Sequence, residues 1–187
     1  MNINTDYILI RSAKDGNTKA AESIIRKYYA NIFDYCRYHS ADIHTAEDLT
    51  QEVFLTFIKG IHQYIHNGKL LNYLYTIARN KCIDEKKRRR NTEISIDCVV
   101  SRLNSSSDGY CTEIEYLDTK IAVERLPDDI REIIVLYFFL GRKQSEIAEI
   151  CGIGLPLVKY RLRKGKEMIK EFLEGEVWIR RIFPIKK

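Results

Sequence analysis

The chain has 187 residues, of which 45% are hydrophobic and 30% charged, and its net charge is +5 at pH 7. Enough apolar side chains are present for a packed core, so the composition excludes a wholly disordered chain. The three prolines and nine glycines are too few for a β-sandwich or barrel with many tight turns.

Targeting and membrane signals are absent from the sequence pattern. No apolar run approaches the roughly 18 residues that a membrane helix needs. The polar, broken N-terminus does not resemble a secretory signal, so we expect a cytoplasmic protein without membrane insertion.

The residues that usually carry chemistry form no recognised group. The five cysteines stand at positions 36, 82, 98, 111 and 151 without a CxxC pair, which indicates reduced thiols and no zinc site. His62 and His66 are four residues apart but lack a third obvious ligand, so surface histidines are the better interpretation. No HExxH motif and no glycine-rich phosphate loop occurs. We therefore predict no catalytic residue, no metal and no cofactor.

Charge is distributed unevenly along the chain. Arg79–Arg90 holds seven basic and two acidic residues, and Arg142–Lys170 holds eight basic and three acidic residues. The intervening Asn91–Glu132 holds four basic and ten acidic residues. Two basic blocks around an acidic connector predict two separate contacts with a polyanion, although solvated helix faces are the alternative.

A period of 3.6 residues predicts helices in the first part of the chain. Asn17 or Thr18 is the expected N-cap of a helix that reaches Cys36. Three further elements follow in chain order: a helix capped by Thr45 and ending near Ile61, a loop at Gln63–Lys69, and a helix over Leu70–Arg89.

The helical period is lost over residues 91–111, where the polar run Asn104–Gly109 indicates a flexible linker. Helices are predicted to resume near Thr112. A buried helix is expected over Ile130–Leu140, with Pro127 as its first residue and Gly141 at its end. Four segments follow from this pattern: a helical domain over 1–90, a linker over 91–111, a second domain over 112–173, and a basic, aromatic tail over 174–187 that either docks on the second domain or remains loose.

A helix-turn-helix pattern lies within the second domain, at Ser145–Lys166. Ser145 can cap a short helix that ends at Cys151, Gly152 permits the turn, and Pro156 can start the next helix. The next helix would place basic residues outward, as a recognition helix in a major groove requires. An ordinary helical hairpin is the alternative.

Two surfaces of the first domain remain open to two interpretations. The helix after Thr45 carries an acidic face that includes Asp48 and Glu52, which is either solvated or a docking site for a basic partner. Tyr64, Tyr73 and Tyr75 precede the basic run, and such aromatics can stack on unpaired bases. Core packing is the alternative for these rings, and Tyr75 is the one that we expect to be buried.

Three stretches together resemble the extracytoplasmic-function (ECF) subfamily of the sigma-70 family of bacterial RNA polymerase sigma factors. They are AEDLTQEVF at Ala46–Phe54, LYTIARNKCIDEKKRRR at Leu74–Arg90, and the helix-turn-helix region over Leu126–Ile169. The resemblance covers most of the chain in the family's order. It implies an all-α fold of two small helical domains on a flexible linker, the C-terminal one with a helix-turn-helix.

The resemblance also implies partners and site residues. Core RNA polymerase would bind residues Asp48, Gln51, Glu52 and Leu55. Melted DNA of the −10 promoter element would contact Tyr64, Asn67, Lys69, Tyr73, Arg79, Asn80, Lys87 and Arg88, with the loop Gln63–Lys69 as a pocket for a flipped base. Double-stranded −35 DNA would contact Lys143, Leu155, Pro156, Leu157, Lys159, Tyr160, Arg161, Arg163 and Lys164. The apolar Leu155–Leu157 segment favours thymine methyl contacts and DNA shape over base hydrogen bonds.

The implied function is promoter recognition and strand opening in transcription initiation, without covalent chemistry. A DNA-binding regulator that never joins polymerase is one alternative, and it would not need the acidic face. A DNA enzyme such as a recombinase is another, and it would need a nucleophile in the first domain. The sequence leaves open the promoter, the inducing signal, and whether an anti-sigma protein is a partner.

Overall fold

The structure is a computed structural model that describes residues 3–92 and 122–182. The chain divides into two compact units, residues 1–105 and 106–187. All regular elements in the described ranges are helices, without a strand. The prediction of an all-α protein with two helical domains is confirmed. No helix in these ranges is long and apolar enough to span a membrane.

The first unit is built from four helices. They are α1 (Ile3–Lys14), α2 (Thr18–His39), α3 (Ile43–Lys59) and α4 (Leu70–Thr92). Each of the last three places an apolar stripe in a common core, because residues three and four apart share one face of a helix. The largest fully buried side chains of this core are Tyr35, Tyr75, Phe57, Ile24, Ile32, Leu70 and Leu74. The predicted burial of Tyr75 is confirmed.

The helix starts in the first unit confirm one predicted cap and correct another. The Asn17 side chain accepts hydrogen bonds from the backbone N–H groups of Lys19 and Ala20, at 3.0 and 3.2 Å. The N-cap of α3 is Asp42 and not Thr45, because the Asp42 carboxylate accepts the Thr45 N–H at 2.8 Å. The N-cap of α3 therefore lies three residues before the predicted one.

The second unit contains three helices in its described part. α5 (Asp128–Ile134) continues into a π-helical turn, Val135–Phe139. α6 (Gln144–Cys151) and α7 (Leu155–Ile182) follow, and residues 122–124 are also helical.

The prediction of one buried helix over Ile130–Leu140, starting at Pro127, is wrong in two respects. Pro127 is the N-cap with an extended ψ of 142°, so the helix begins one residue later. Burial also ends at Leu136, because Tyr137, Phe139 and Leu140 are half-buried and the Phe138 side chain is 52% exposed. Gly141, at φ +63°, ends the element as predicted.

The helix-turn-helix of the second unit has the predicted glycine at its turn. Gly152 ends α6 in the left-handed region at φ +64°, which a glycine adopts without steric cost. The start of α6 differs from the prediction, because the N-cap is Lys143 and not Ser145. The Glu146 carboxylate accepts the backbone N–H of Lys143 at 2.8 Å, so a residue in the first turn satisfies this end.

Several predicted features lie outside the described residues. They are the linker beyond Thr92, the helix expected near Thr112, and Cys98 and Cys111. α7 continues to Ile182, into the segment predicted as the tail. Cys36, Cys82 and Cys151 are buried thiols that form no disulfide.

Candidate nucleic-acid and protein interfaces

The outer face of α3 carries an acidic stripe, which we define as Asp48, Gln51, Glu52 and Leu55. These positions follow one another at spacings of three, one and three residues, so they share one side of the helix. All four side chains are exposed, and Leu55 is 58% exposed. The structure therefore brings the four predicted polymerase-binding residues together.

One residue of the acidic stripe is already paired within the unit. The Glu52 carboxylate lies 3.1 Å from the Lys81 ammonium of α4. No ion pair in the described residues involves Asp48. The acidic stripe on α3 consequently adjoins the basic helix α4, and Asp48 is its unpaired charge.

The loop between α3 and α4 is present as predicted, with Gly68 at φ +81°. The Asn67 side chain accepts the backbone N–H of Lys69 at 3.2 Å, and both residues are exposed. This asparagine-based turn fixes the local path of the chain into α4.

Tyr64 takes a different position from the one that base stacking requires. Its side chain is 7% exposed, and its ring centroid lies 4.6 Å from that of Tyr73 and 5.9 Å from that of Phe57. Burial, with smaller effects from Tyr73 and Asp6, raises the pKa of Tyr64 to about 12. The Tyr64 ring is therefore packed between the loop and the helices α3 and α4. The ring of Tyr73 is 39% exposed and is the one of the two that a base could reach.

The polar and basic residues of α4 that were predicted to contact DNA, together with Arg89, differ in exposure. Asn80, Lys87 and Arg88 are exposed, and Arg79 is half-buried. Arg88 pairs with Glu85 at 2.7 Å but remains 77% exposed. Arg89 is turned inward, because it donates to Glu85 at 2.8 Å and to the Thr45 hydroxyl at 2.5 Å. Arg89 thus joins the end of α4 to the start of α3.

The start of α7 presents a mixed apolar and basic surface. Leu155, Leu157 and Tyr160 are 38%, 39% and 48% exposed, while Val158 is fully buried. The remaining exposed side chains of the predicted −35 set are Lys143, Pro156, Lys159, Arg163 and Lys164. Arg163, at 72% exposure, lies 3.9 Å from Glu167, so it stays accessible to a phosphate.

Arg161 departs from its predicted outward position. Its guanidinium lies 2.9 Å from the Asp129 carboxylate of α5 and its side chain is 22% exposed. Arg161 lies between the buried Val158 and Leu162, at the edge of the helix stripe that faces α5. It therefore connects two helices of the unit, and a DNA contact would first have to displace Asp129.

The sequence patterns did not predict α1. Tyr7, Ile10 and Lys14 have helical spacing, which was the available signal, but the helix is short and its other residues are mostly polar. The close approach of Gly165 to Ile130 and Ile134 of α5 was not predicted either, because a glycine within a helix gives no sign of what it contacts. In the described residues, no group of three or more His, Cys, Asp or Glu side chains could hold a metal ion.

The second unit contains a helix-turn-helix, and the first unit carries an acidic face on α3 beside the basic helix α4. Sigma-70 region 2 matches residues 24–92 and Sigma-70, region 4 matches residues 122–169. The chain belongs to the sigma-70 family, in its ECF subfamily, and is an alternative sigma factor of transcription initiation.

Relatives of known name agree with this assignment. The chain is 28% identical to the ECF RNA polymerase sigma factor SigW of Bacillus subtilis over 177 residues, which are 88% of this chain and 94% of SigW. It is 29% identical to EcfG of Rhodopseudomonas palustris over 135 residues, 72% of this chain and 74% of EcfG.

Two solved structures share the fold. CnrH, in complex with the cytosolic domain of CnrY, has a TM-score of 0.70 at 19% identity and covers 91% of this chain and 98% of its own. RpoE of Bartonella quintana, in complex with the anti-sigma factor NepR, has a TM-score of 0.68 at 23% identity and covers 82% and 96%.

Proposed function

We propose that this sigma factor binds core RNA polymerase through the acidic stripe of α3 and directs it to promoters with two DNA surfaces. The observation that carries the proposal is the position of the stripe. It lies beside the basic helix α4, to which Glu52 is joined by Lys81 at 3.1 Å. A free-standing regulator with one helix-turn-helix would have no need of this arrangement. The factor would work in the cytoplasm and perform no covalent chemistry itself.

The −35 contact is proposed for the exposed side of α7. Lys159, Arg163 and Lys164 would hold phosphates, which position the helix without reading sequence. Leu155 and Leu157 are exposed at the helix start, where they can contact thymine methyl groups in the major groove. Tyr160, Pro156 and Lys143 complete this surface.

The −10 contact is proposed for the loop and the outward side of α4. Tyr73 offers an exposed ring for stacking, which is worth about 1–3 kcal/mol per base. Lys87, Arg88 and Asn80 would hold the backbone of the melted strand. The loop, with Asn67 and Lys69, would receive a flipped base. Tyr64 and Arg79 would act from beneath this surface, since they are less exposed.

The domain limits are proposals of the same kind. The first domain would occupy residues 1–90, the linker 91–111, and the −35 domain 112–173, followed by the tail. Because RpoE of Bartonella quintana is held by the anti-sigma factor NepR, we also propose that an anti-sigma protein is a partner of this chain.

The test is a transcription assay with purified protein, core RNA polymerase and promoter fragments. We expect specific initiation by the native protein and its loss in Asp48→Arg, because charge reversal places a cation in the docking stripe. Asp48 is the sharper choice than Glu52, since replacing Glu52 also breaks its pair with Lys81.

Glu22→Arg is the matched control. Glu22 is an exposed acidic residue of α2 whose reversal changes the net charge equally, and its pair with Arg26 is an exposed i,i+4 pair. Loss of such a pair costs only about 0.3–0.5 kcal/mol. Equal activity of the native and Asp48→Arg proteins would refute docking through the stripe. DNA binding by the native protein without any initiation would instead favour the free-standing regulator.

A further inference from the structure

Helix α1 lies before the segment that matches Sigma-70 region 2, yet it contacts the loop that precedes α4. We propose that α1 positions this loop, residues 60–69, and that Lys14 is the positioning residue. The inference rests on the proposed function, in which this loop receives a base of the melted −10 strand.

α1 is firmly attached to α2. Ile10 is 3% exposed and Asp6 is 8% exposed. The Asp6 carboxylate accepts hydrogen bonds from the Tyr28 hydroxyl and the Lys27 ammonium, both at 2.5 Å. A buried carboxylate with two donors, one of them charged, is a strong local anchor. Because α1 is anchored on α2, its C-terminal end can hold the loop that it contacts in a fixed position.

The C-terminal end of α1 touches the loop backbone. The Lys14 ammonium donates to the Tyr64 carbonyl at 2.7 Å and to the His62 carbonyl at 3.4 Å. The backbone N–H bonds of the loop lie in its first half, from Gly60 to Thr56, from Ile61 to Ile58, from Gln63 to Gly60 and from Tyr64 to Ile61. None of them uses the carbonyl of His62 or of Tyr64. Lys14 thus binds two loop carbonyls that accept no backbone hydrogen bond from the described residues.

A second contact between α1 and the loop involves side chains. The rings of Tyr7 and His66 lie with centroids 6.3 Å apart. His66 Nδ1 in turn lies 3.4 Å from the Tyr64 hydroxyl. The loop is consequently held at the carbonyl of Tyr64, by Lys14, and near the hydroxyl of the same residue, by His66 and Tyr7.

A loop that is ordered before binding loses less conformational entropy when a base enters it. Without Lys14 the loop would be less ordered before binding, and it would lose this conformational entropy when the base binds. The surfaces proposed for polymerase and for −35 DNA are formed by α3, by α7 and by Lys143 at the start of α6, and do not include Lys14. The expected defect is therefore confined to strand opening and to discrimination at the −10 element.

The first measurement is hydrogen exchange of the loop amides in the full chain. Lys14→Met removes the ammonium and keeps a long side chain, Lys14→Arg retains donors, and Arg11→Met removes one exposed positive charge from the same helix as a control. We expect amide exchange at residues 61–66 to be about fivefold faster in Lys14→Met. Native rates are expected in Arg11→Met and rates close to native in Lys14→Arg.

The second measurement is open-complex formation on a cognate promoter and on promoters with single −10 substitutions. We expect Lys14→Met to lose about fivefold in cognate opening and in discrimination, with unchanged affinity for core polymerase and recovery in Lys14→Arg. Unchanged loop exchange in Lys14→Met would overturn the inference, as would faster exchange without any loss in opening. Failure of the native protein to initiate would overturn the proposed function, whereas the exchange data would still decide whether Lys14 holds the loop.

Discussion

At the scale of single residues, Gly165 determines how closely α7 packs against α5. A Cβ placed on Gly165 would lie 2.8 Å from both Cγ1 and Cδ1 of Ile134 and 2.9 Å from Cγ2 of Ile130. Both isoleucines are buried, at 1% and 4% exposure, so they have little room to move in a close-packed core. The absent side chain is therefore what permits this helix contact.

We predict that Gly165→Ala destabilises the second unit. Alanine favours a helix over glycine by up to about 1 kcal/mol, but overpacking a core costs about 1–3 kcal/mol. The expected net effect is a lower free energy of unfolding, measured by urea denaturation of the full chain. The stability difference between Lys164→Gly and Lys164→Ala, at an exposed neighbour, serves as the control for the helix propensity of glycine against alanine.

The cause of this loss can be tested by a second substitution. Ile134→Val removes Cδ1, one of the two atoms at 2.8 Å. In the Gly165→Ala background it should recover part of the lost stability, although the same change alone costs about 0.5–1.5 kcal/mol. A Gly165→Ala protein as stable as the native one would show that the two helices separate without cost.

Side-chain direction is also where prediction from the sequence stops. The exposure of Lys159 and Arg163 follows from helical spacing, because both lie away from the stripe of Val158 and Leu162. Arg161 lies at the edge of that stripe, and its direction depends on Asp129, which is 32 positions earlier in the chain. Tyr64 is similar, since Phe57 and Tyr73 bury it from two different helices. Such contacts are not visible in local patterns.

At the scale of elements, the helices other than α1 were predictable, and their ends only in part. Asn17, Gly141 and Gly152 act as the sequence indicates, because each uses its own conformational or hydrogen-bonding preference. Asp42 was overlooked in favour of Thr45, although both are good caps. In the structure the two residues cooperate, since the Thr45 hydroxyl donates to the Asp42 carboxylate at 2.8 Å.

We predict that the cap of α3 makes the first unit sensitive to acid. The hydrogen bonds from the Thr45 N–H and hydroxyl, together with Arg89, hold the pKa of Asp42 below its usual range. An acid with a lowered pKa in the folded state stabilises the fold above its unfolded pKa, about 4. This contribution should be lost as the pH falls through the lower folded value, and thermal unfolding between pH 7 and pH 2 would record it.

Two substitutions separate the charge of Asp42 from its role as a cap. Asp42→Asn keeps a capping oxygen, so near pH 7 it should cost less than Asp42→Ala, which loses about 1 kcal/mol. Both variants should lose the part of the acid dependence that Asp42 provides. An acid profile of Asp42→Asn identical to that of the native protein would assign the dependence to other carboxylates.

At the scale of the whole molecule, the helical period and the charge blocks were sufficient to predict two all-helical domains. They could not predict that α1 belongs to the first one, because its attachment depends on Asp6 reaching Lys27 and Tyr28 on α2. In the described residues each unit has its own core. That of the first unit includes Tyr35, Phe57 and Leu74, and that of the second includes Ile133, Leu136 and Ile147.

Separate cores predict separate unfolding of the two units. Because stability is a property of each cooperative unit, Asp42→Ala should speed amide exchange in α2, α3 and α4 and leave α5, α6 and α7 at their native rates. Gly165→Ala should do the reverse. Hydrogen exchange of the full chain, read by peptide, measures both units in one sample. If one substitution speeds exchange in both units, they share a cooperative core. If each acts alone, the −10 and −35 surfaces belong to units whose stability can be changed independently, so a defect in one contact can be assigned without unfolding the other.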